Sequence, residues 1–80
     1  MTKARESLEE LFARVLRVPI AVIEDSTTPK SLLAWNSLRH IEIVVAVENN
    51  YGVVFSTAEI LALQSVKGFR ETLCKKGVTA

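Results

Sequence analysis

Leu8, Leu11, Phe12, Val15 and Leu16 recur at the i, i+3, i+4, i+7, i+8 spacing of one helical face, with Glu9, Glu10, Arg14 and Arg17 interleaved. The pattern predicts an amphipathic helix that starts at Ser7 and stops near Val18, because Pro19 lacks the N–H that would continue the ladder and forces its predecessor out of the helical region. Residues 19–36 then carry Pro19, Asp25, Ser26, Thr27, Thr28 and Pro29, a density of turn formers that predicts a long connection. Loops of that length usually hold a helical turn or a function, and Ile20, Val22, Ile23, Leu32 and Leu33 are the expected apolar anchors.

From Leu38 to Tyr51 the many β-branched residues would suit a strand, but length and punctuation decide for a helix. Asn36 or Ser37 can cap its start, Glu42 and Glu48 break a period-two reading, and Gly52 stands where a left-handed terminal residue belongs. Apolar residues around most of its girth imply packing on two sides. Ser56 and Glu59 have capping-box spacing, which opens a short third helix from Thr57 to about Leu63. Ser65 can cap a fourth, with Val66, Phe69 and Leu73 on one face and an end before Gly77. The expected fold is all-α: one domain over residues 1–80, a small four-helix bundle with a long first loop and a short third helix.

Composition narrows the function classes. Ten Lys and Arg against nine Asp and Glu give a formal charge of +1, without the basic excess of a nucleic-acid binder. Lys67, Arg70, Lys75 and Lys76 are expected to form a solvated helix face. Cys74 cannot form an internal disulfide and reads as a packed or idle thiol, and no leader or membrane-length apolar run is apparent, so the cytosol is the expected compartment. His40 is the sole histidine, and Glu42, two positions on, does not share its helical face, so no metal site is expected. Ser37 lies one turn before His40, within reach of a base, but no oxyanion-hole element or glycine-rich elbow accompanies it. An independent hydrolase is not the reading these residues favour. On pattern alone, a serine at a helix start is an N-cap.

The segment "NSLRHIEIVVAVENNYGVVFSTAEI" resembles the acyl carrier protein family, whose signature is Asp-Ser-Leu at the start of the second helix, a glutamate five residues after the serine, and an "E-x-x-[FY]-G" ending. Ser37, Leu38, Glu42, Glu48, Tyr51 and Gly52 fall at those spacings, and the first helix, long loop, short third helix and "QSV" at Gln64 to Val66 extend the likeness over nearly the whole chain. The resemblance implies that Ser37 accepts a 4′-phosphopantetheine arm from coenzyme A, through a separate Mg²⁺-dependent phosphopantetheinyl transferase. The protein is then a substrate and carrier, not an enzyme. The arm's thiol carries acyl groups as thioesters between acyl-activating, acyltransferase or synthase enzymes of a specialised fatty-acid or polyketide-like pathway. The resemblance also marks Leu38, Arg39, Glu42, Val45 and Glu48 as partner-binding positions on a monomer that engages neither nucleic acid nor membrane.

Three departures from the family pattern shape the expectation. Asn36 replaces the motif aspartate, which removes a charge that transferases meet but keeps a good helix cap. Arg39 reverses a position that is often acidic, so the second helix lacks the family's usual negative face, and partners other than housekeeping fatty-acid enzymes are expected. Acidic residues at positions 39, 49 and 50 would restore that face. Trp35 resembles the "W-[DN]-S-L" of specialised free-standing bacterial carriers and would also pin the loop to the bundle, and the lack of glycines in "LLAWNS" favours an acyl over a peptidyl carrier. A carrier-like fold that is unmodified and serves as a protein-interaction module remains the second reading, supported by Asn36 and the weak acidity.

Overall fold

The computed structural model describes residues 6–80, ordered as α1 (Leu8–Leu16), a 3-10 turn (Ile20–Val22), α2 (Ser37–Tyr51), α3 (Thr57–Ala62) and α4 (Val66–Lys75). This is the expected all-helical bundle with a long first connection and a short third helix. α1 starts on a capping box, in which Ser7 Oγ accepts from the Glu10 N–H and the Glu10 carboxylate accepts from the Ser7 N–H. It ends two residues before Val18 because Arg17 adopts a left-handed backbone, φ 58°, that lets the Val18 N–H reach the Ala13 carbonyl at 3.1 Å. α2 closes in the same geometry on Gly52, φ 68°, where the absent Cβ makes that conformation inexpensive.

The core is built from the predicted helical faces plus one residue that no helix supplies. Leu8, Leu11 and Phe12 of α1 meet Ile43 and Val47 of α2 and Val66, Phe69 and Leu73 of α4, all fully buried. Trp35, from the loop, is only 2% exposed and sits edge-on to Phe12 at 5.2 Å between ring centroids. Phe12 also packs edge-on against Phe69 at 5.2 Å and Trp35 lies tilted against Phe69, so three rings fill the bundle's centre, with both Phe12 pairs in the edge-to-face arrangement that their quadrupoles favour. Of the expected loop anchors, Ile23 is buried and Leu32 packs partly on the core, whereas Ile20, Val22 and Leu33 are exposed. An irregular segment has no period to tell which apolar residue points inward.

Hydrogen bonding gives the loop a fixed form. Thr27 is buried, its Oγ1 accepts from the Glu24 N–H and donates to the Val22 carbonyl, and the carbonyls of Thr27 and Asp25 accept from Val66 and Lys67 in the first turn of α4. Those two N–H groups would otherwise lack helical partners. At the other end, Asn50 exchanges two hydrogen bonds with the Glu6 backbone, and the Tyr51 hydroxyl donates to the same Glu6 carbonyl, which ties the start of α1 to the end of α2.

The basic group on α4 is partly a set of tethers. Arg70 bonds Glu9 of α1, Asp25 of the loop and the Ala80 carbonyl, and Lys76 reaches Glu59 at 3.0 Å. Lys67, Lys75 and the Cys74 thiol are exposed. α3 opens on the Ser56–Glu59 capping box, and the Glu59 carboxyl is held below the usual carboxylate range, first by the Ser56 backbone N–H and then by the Lys76 ammonium.

Candidate functional site

Four helices open on Ser or Asn, and one of those starts differs from the rest. Ser7, Ser56 and Ser65 each cap a helix by accepting a backbone N–H, whereas at α2 the capping oxygen is Asn36 Oδ1, which takes the Arg39 N–H at 2.9 Å. Ser37 is therefore the first helical residue and is spared the capping role. Its side chain is exposed and its hydroxyl has no hydrogen-bond partner among the described residues. The N–H groups of Ser37 and Leu38, at the positive end of a fifteen-residue helix, have no acceptor among the described residues either.

His40 is not a base for this hydroxyl. Its Nδ1 accepts from the Trp35 indole N–H at 3.1 Å, and because an indole nitrogen can only donate, the imidazole proton resides on Nε2, which donates to the Ile60 carbonyl at 2.9 Å. Both ring nitrogens are thus engaged. The bonds join the loop, α2 and the last turn of α3, and the Trp35 and His40 rings lie nearly parallel at 6.0 Å. Deleting the imidazole would leave the Trp35 N–H unpaired, at about 1–3 kcal/mol, and the Ile60 carbonyl with only a 3.4 Å bond from the Leu63 N–H. A cleft of about 520 Å³ opens above this cross-tie, with Ser37 at its mouth and Ile41, Ile60 and Leu61 among its walls.

Sequence reasoning missed this role for His40 and the contribution of Ile60, Leu61 and Pro29 to the cleft. Spacing along the chain carries no signal for a bond to a main-chain carbonyl twenty residues away.

α2 does not pack on two sides. Ile43, Val44, Val47 and Tyr51 face the core, while Leu38, Ile41 and Val45 form a second apolar stripe that is 66%, 53% and 50% exposed. The two stripes lie on opposite parts of the helix surface, which is why the composition looked apolar all round. Arg39 pairs with Glu42 at 2.7 Å beside the exposed stripe. Glu48, expected at the partner surface, is instead turned to the chain itself, where its Oε2 accepts from the Phe55 N–H at 2.8 Å and fixes the turn into α3. Asn50 is occupied by the Glu6 clasp, so of the two asparagines only Asn49 is an exposed site for an added charge.

Residues 6–73 match the family described as "Phosphopantetheine attachment site". The chain is also 36% identical over 72 residues to "Polyketide-8 synthase acyl carrier protein 2" of Streptomyces avermitilis, an alignment covering 90% of this chain and 83% of that protein. A match over most of the chain, together with a four-helix fold that sets a free serine at the start of α2, makes the chain a member of the acyl carrier protein family, whose members bear covalent 4′-phosphopantetheine and act as carriers, not enzymes.

Proposed function

We propose that Ser37 is the residue that receives the 4′-phosphopantetheine arm, and that the protein carries acyl intermediates of a polyketide-type pathway. The observation that carries this reading is the division of labour at the start of α2: Asn36 caps the helix, and Ser37 is left exposed with an unbonded hydroxyl. The pathway type is supported by the likeness to the Streptomyces avermitilis carrier.

The donor set at this site fits the group. A phosphodiester on Ser37 would meet the free N–H groups of Ser37 and Leu38 and the positive end of the α2 dipole. In the attachment step the Ser37 oxygen forms a bond to the pantetheine-bearing phosphorus of coenzyme A. The pyrophosphate P–O bond breaks, adenosine 3′,5′-bisphosphate leaves, and the hydroxyl proton passes to a base on the transferase. His40 does not supply that base, since both of its ring nitrogens are engaged. Once bound, the arm provides a thiol for thioester formation.

Leu38, Ile41 and Val45 form the surface that the phosphopantetheinyl transferase and the pathway's synthase enzymes touch, with the Arg39–Glu42 pair at its edge. An apolar stripe flanked by a balanced ion pair, in place of an acidic face, selects partners whose docking sites are less basic than those built for acidic carriers. Among the described residues no helix is long and apolar enough to cross a membrane, and we place the carrier in the cytoplasm with its partners.

The test is intact mass before and after incubation with coenzyme A, Mg²⁺ and a broad-specificity phosphopantetheinyl transferase. A gain of one phosphopantetheine by the wild type and none by Ser37→Ala is the expected result. No gain by either, also with Asn36→Asp, would favour an unmodified interaction module.

A further inference from the structure

Trp35 and His40 line the cleft beside Ser37 and also belong to the aromatic cluster around Phe69. The Trp35 N–H, both nitrogens of His40 and the Ile60 carbonyl form one continuous cross-tie between the loop, α2 and α3. Directly behind it Phe69 packs edge-on against His40 at 6.0 Å, and Phe12 packs edge-on against Trp35. Trp35 and His40 thus line the cleft on one side and touch the fully buried Phe12 and Phe69 on the other.

We propose that the Trp35–His40–Ile60 cross-tie bars alkyl chains from the bundle interior, so that this carrier keeps its arm and cargo in the surface cleft and suits short or oxygenated acyl groups. The inference rests on Ser37 as the attachment residue. Three features favour exclusion. The Ile60 carbonyl lies in the last turn of a six-residue helix, where its main-chain bond from the Leu63 N–H is long at 3.4 Å, so the His40 N–H at 2.9 Å is its short partner and one that a hydrocarbon cannot replace. The Trp35 N–H is satisfied only by His40. The space behind is filled by aromatic rings in close contact, and a core of that density accepts an added chain only by expelling a side chain. The cleft outside offers Ile41, Ile60 and Leu61 as an apolar wall for the first few carbons, with Asn36 and Gln64 at its polar margin for oxygen substituents.

The test compares wild-type protein loaded from acetyl- and octanoyl-coenzyme A, after intact mass has established one acyl-arm per chain. Backbone amide shifts of ¹⁵N-labelled protein are read first, and hydroxylamine cleavage of the two thioesters second. The expected result is that exchanging acetyl for octanoyl moves amides around the cleft, at Ser37, Ile41 and Leu61, and leaves Val47, Leu63 and Phe69 in place. Both thioesters should then be cleaved within about twofold of one another. Octanoyl-dependent shifts at Val47, Leu63 and Phe69, or severalfold protection of the octanoyl thioester, would overturn the proposal. His40→Leu, and Trp35→Phe, which keeps one ring but removes the N–H and part of the buried indole, should admit octanoyl and show both effects. If both variants fold and still exclude octanoyl as the wild type does, the cross-tie is not the barrier and the proposal fails. If either variant does not fold, the wild-type comparison decides alone. A chain that gains no mass overturns the Ser37 reading as well, and that outcome is seen before any shift is compared.

Discussion

Ser56 and Ser37 both stand at the mouth of a helix, and their hydroxyls have opposite fates. At α3, Ser56 is the cap, its Oγ accepts from the Glu59 N–H at 3.1 Å, and Glu59 closes the box by accepting from the Ser56 N–H at 2.8 Å. At α2 the chain inserts one more residue, so Asn36 caps and Ser37 enters the first turn with nothing to hold. A hydroxyl engaged in capping stabilises the fold, whereas one relieved of it is available to other molecules. Moving the cap by one position separates the two roles.

Alanine at each serine breaks this comparison most sharply. Ser37→Ala should abolish uptake of the arm while leaving urea unfolding within about 0.5 kcal/mol of wild type, because an exposed first-turn alanine is a good helix former. Ser56→Ala should lose about 1 kcal/mol of stability with a normal mass gain, because it removes a cap and nothing else. Equal loss of modification in both variants would show that the two serines are not distinguished as described.

Asn36 sharpens the comparison because its side chain is the cap that frees Ser37. Asn36→Ala should destabilise by about 1 kcal/mol in the same unfolding assay, whereas Asn36→Asp should keep the stability and speed modification by a broad-specificity transferase severalfold. An unchanged rate for Asn36→Asp would mean that the carboxylate is dispensable at this site. A smaller effect is expected farther along α2: Arg39→Asp with Asn49→Glu should improve loading by acyltransferases that read acidic carriers, without disturbing the Asn50 clasp. No change in loading rate would remove charge as the discriminator.

The smallest effect lies in the pH dependence of the Ser56 cap. Because the folded-state pKa of Glu59 is lowered, its stabilising contribution is present above the ordinary glutamate range and is lost as pH falls through the lowered value. The melting temperature of the wild type should therefore exceed that of Glu59→Gln near neutrality, and the gap should narrow on acidification through the carboxylate range. A gap that widens with acid would contradict the sign.

What was legible in the chain was what repeats. The helical periods, the capping box at Ser56, and Gly52 as a terminator placed all four helices to within two residues, and the spacing from Ser37 to Gly52 carried the family. Features that depend on which way a side chain turns were not legible. The apolar residues of α2 divide into a buried and an exposed stripe, Glu48 bends back to Phe55, and His40 reaches the Ile60 main chain. Arg17 belongs to the same class, since a left-handed residue without glycine leaves no mark in composition.

On the proposed function, one hydroxyl, freed by its neighbour's cap, receives the arm. Peptide mapping by tandem mass spectrometry, after incubation with coenzyme A, Mg²⁺ and a phosphopantetheinyl transferase, tests it most directly. The phosphopantetheine should be found on Ser37 alone, with Ser31, Ser56 and Ser65 unmodified; an arm on any other serine, or a wild-type chain that stays bare while a control carrier is converted, would rule out Ser37 as the attachment residue.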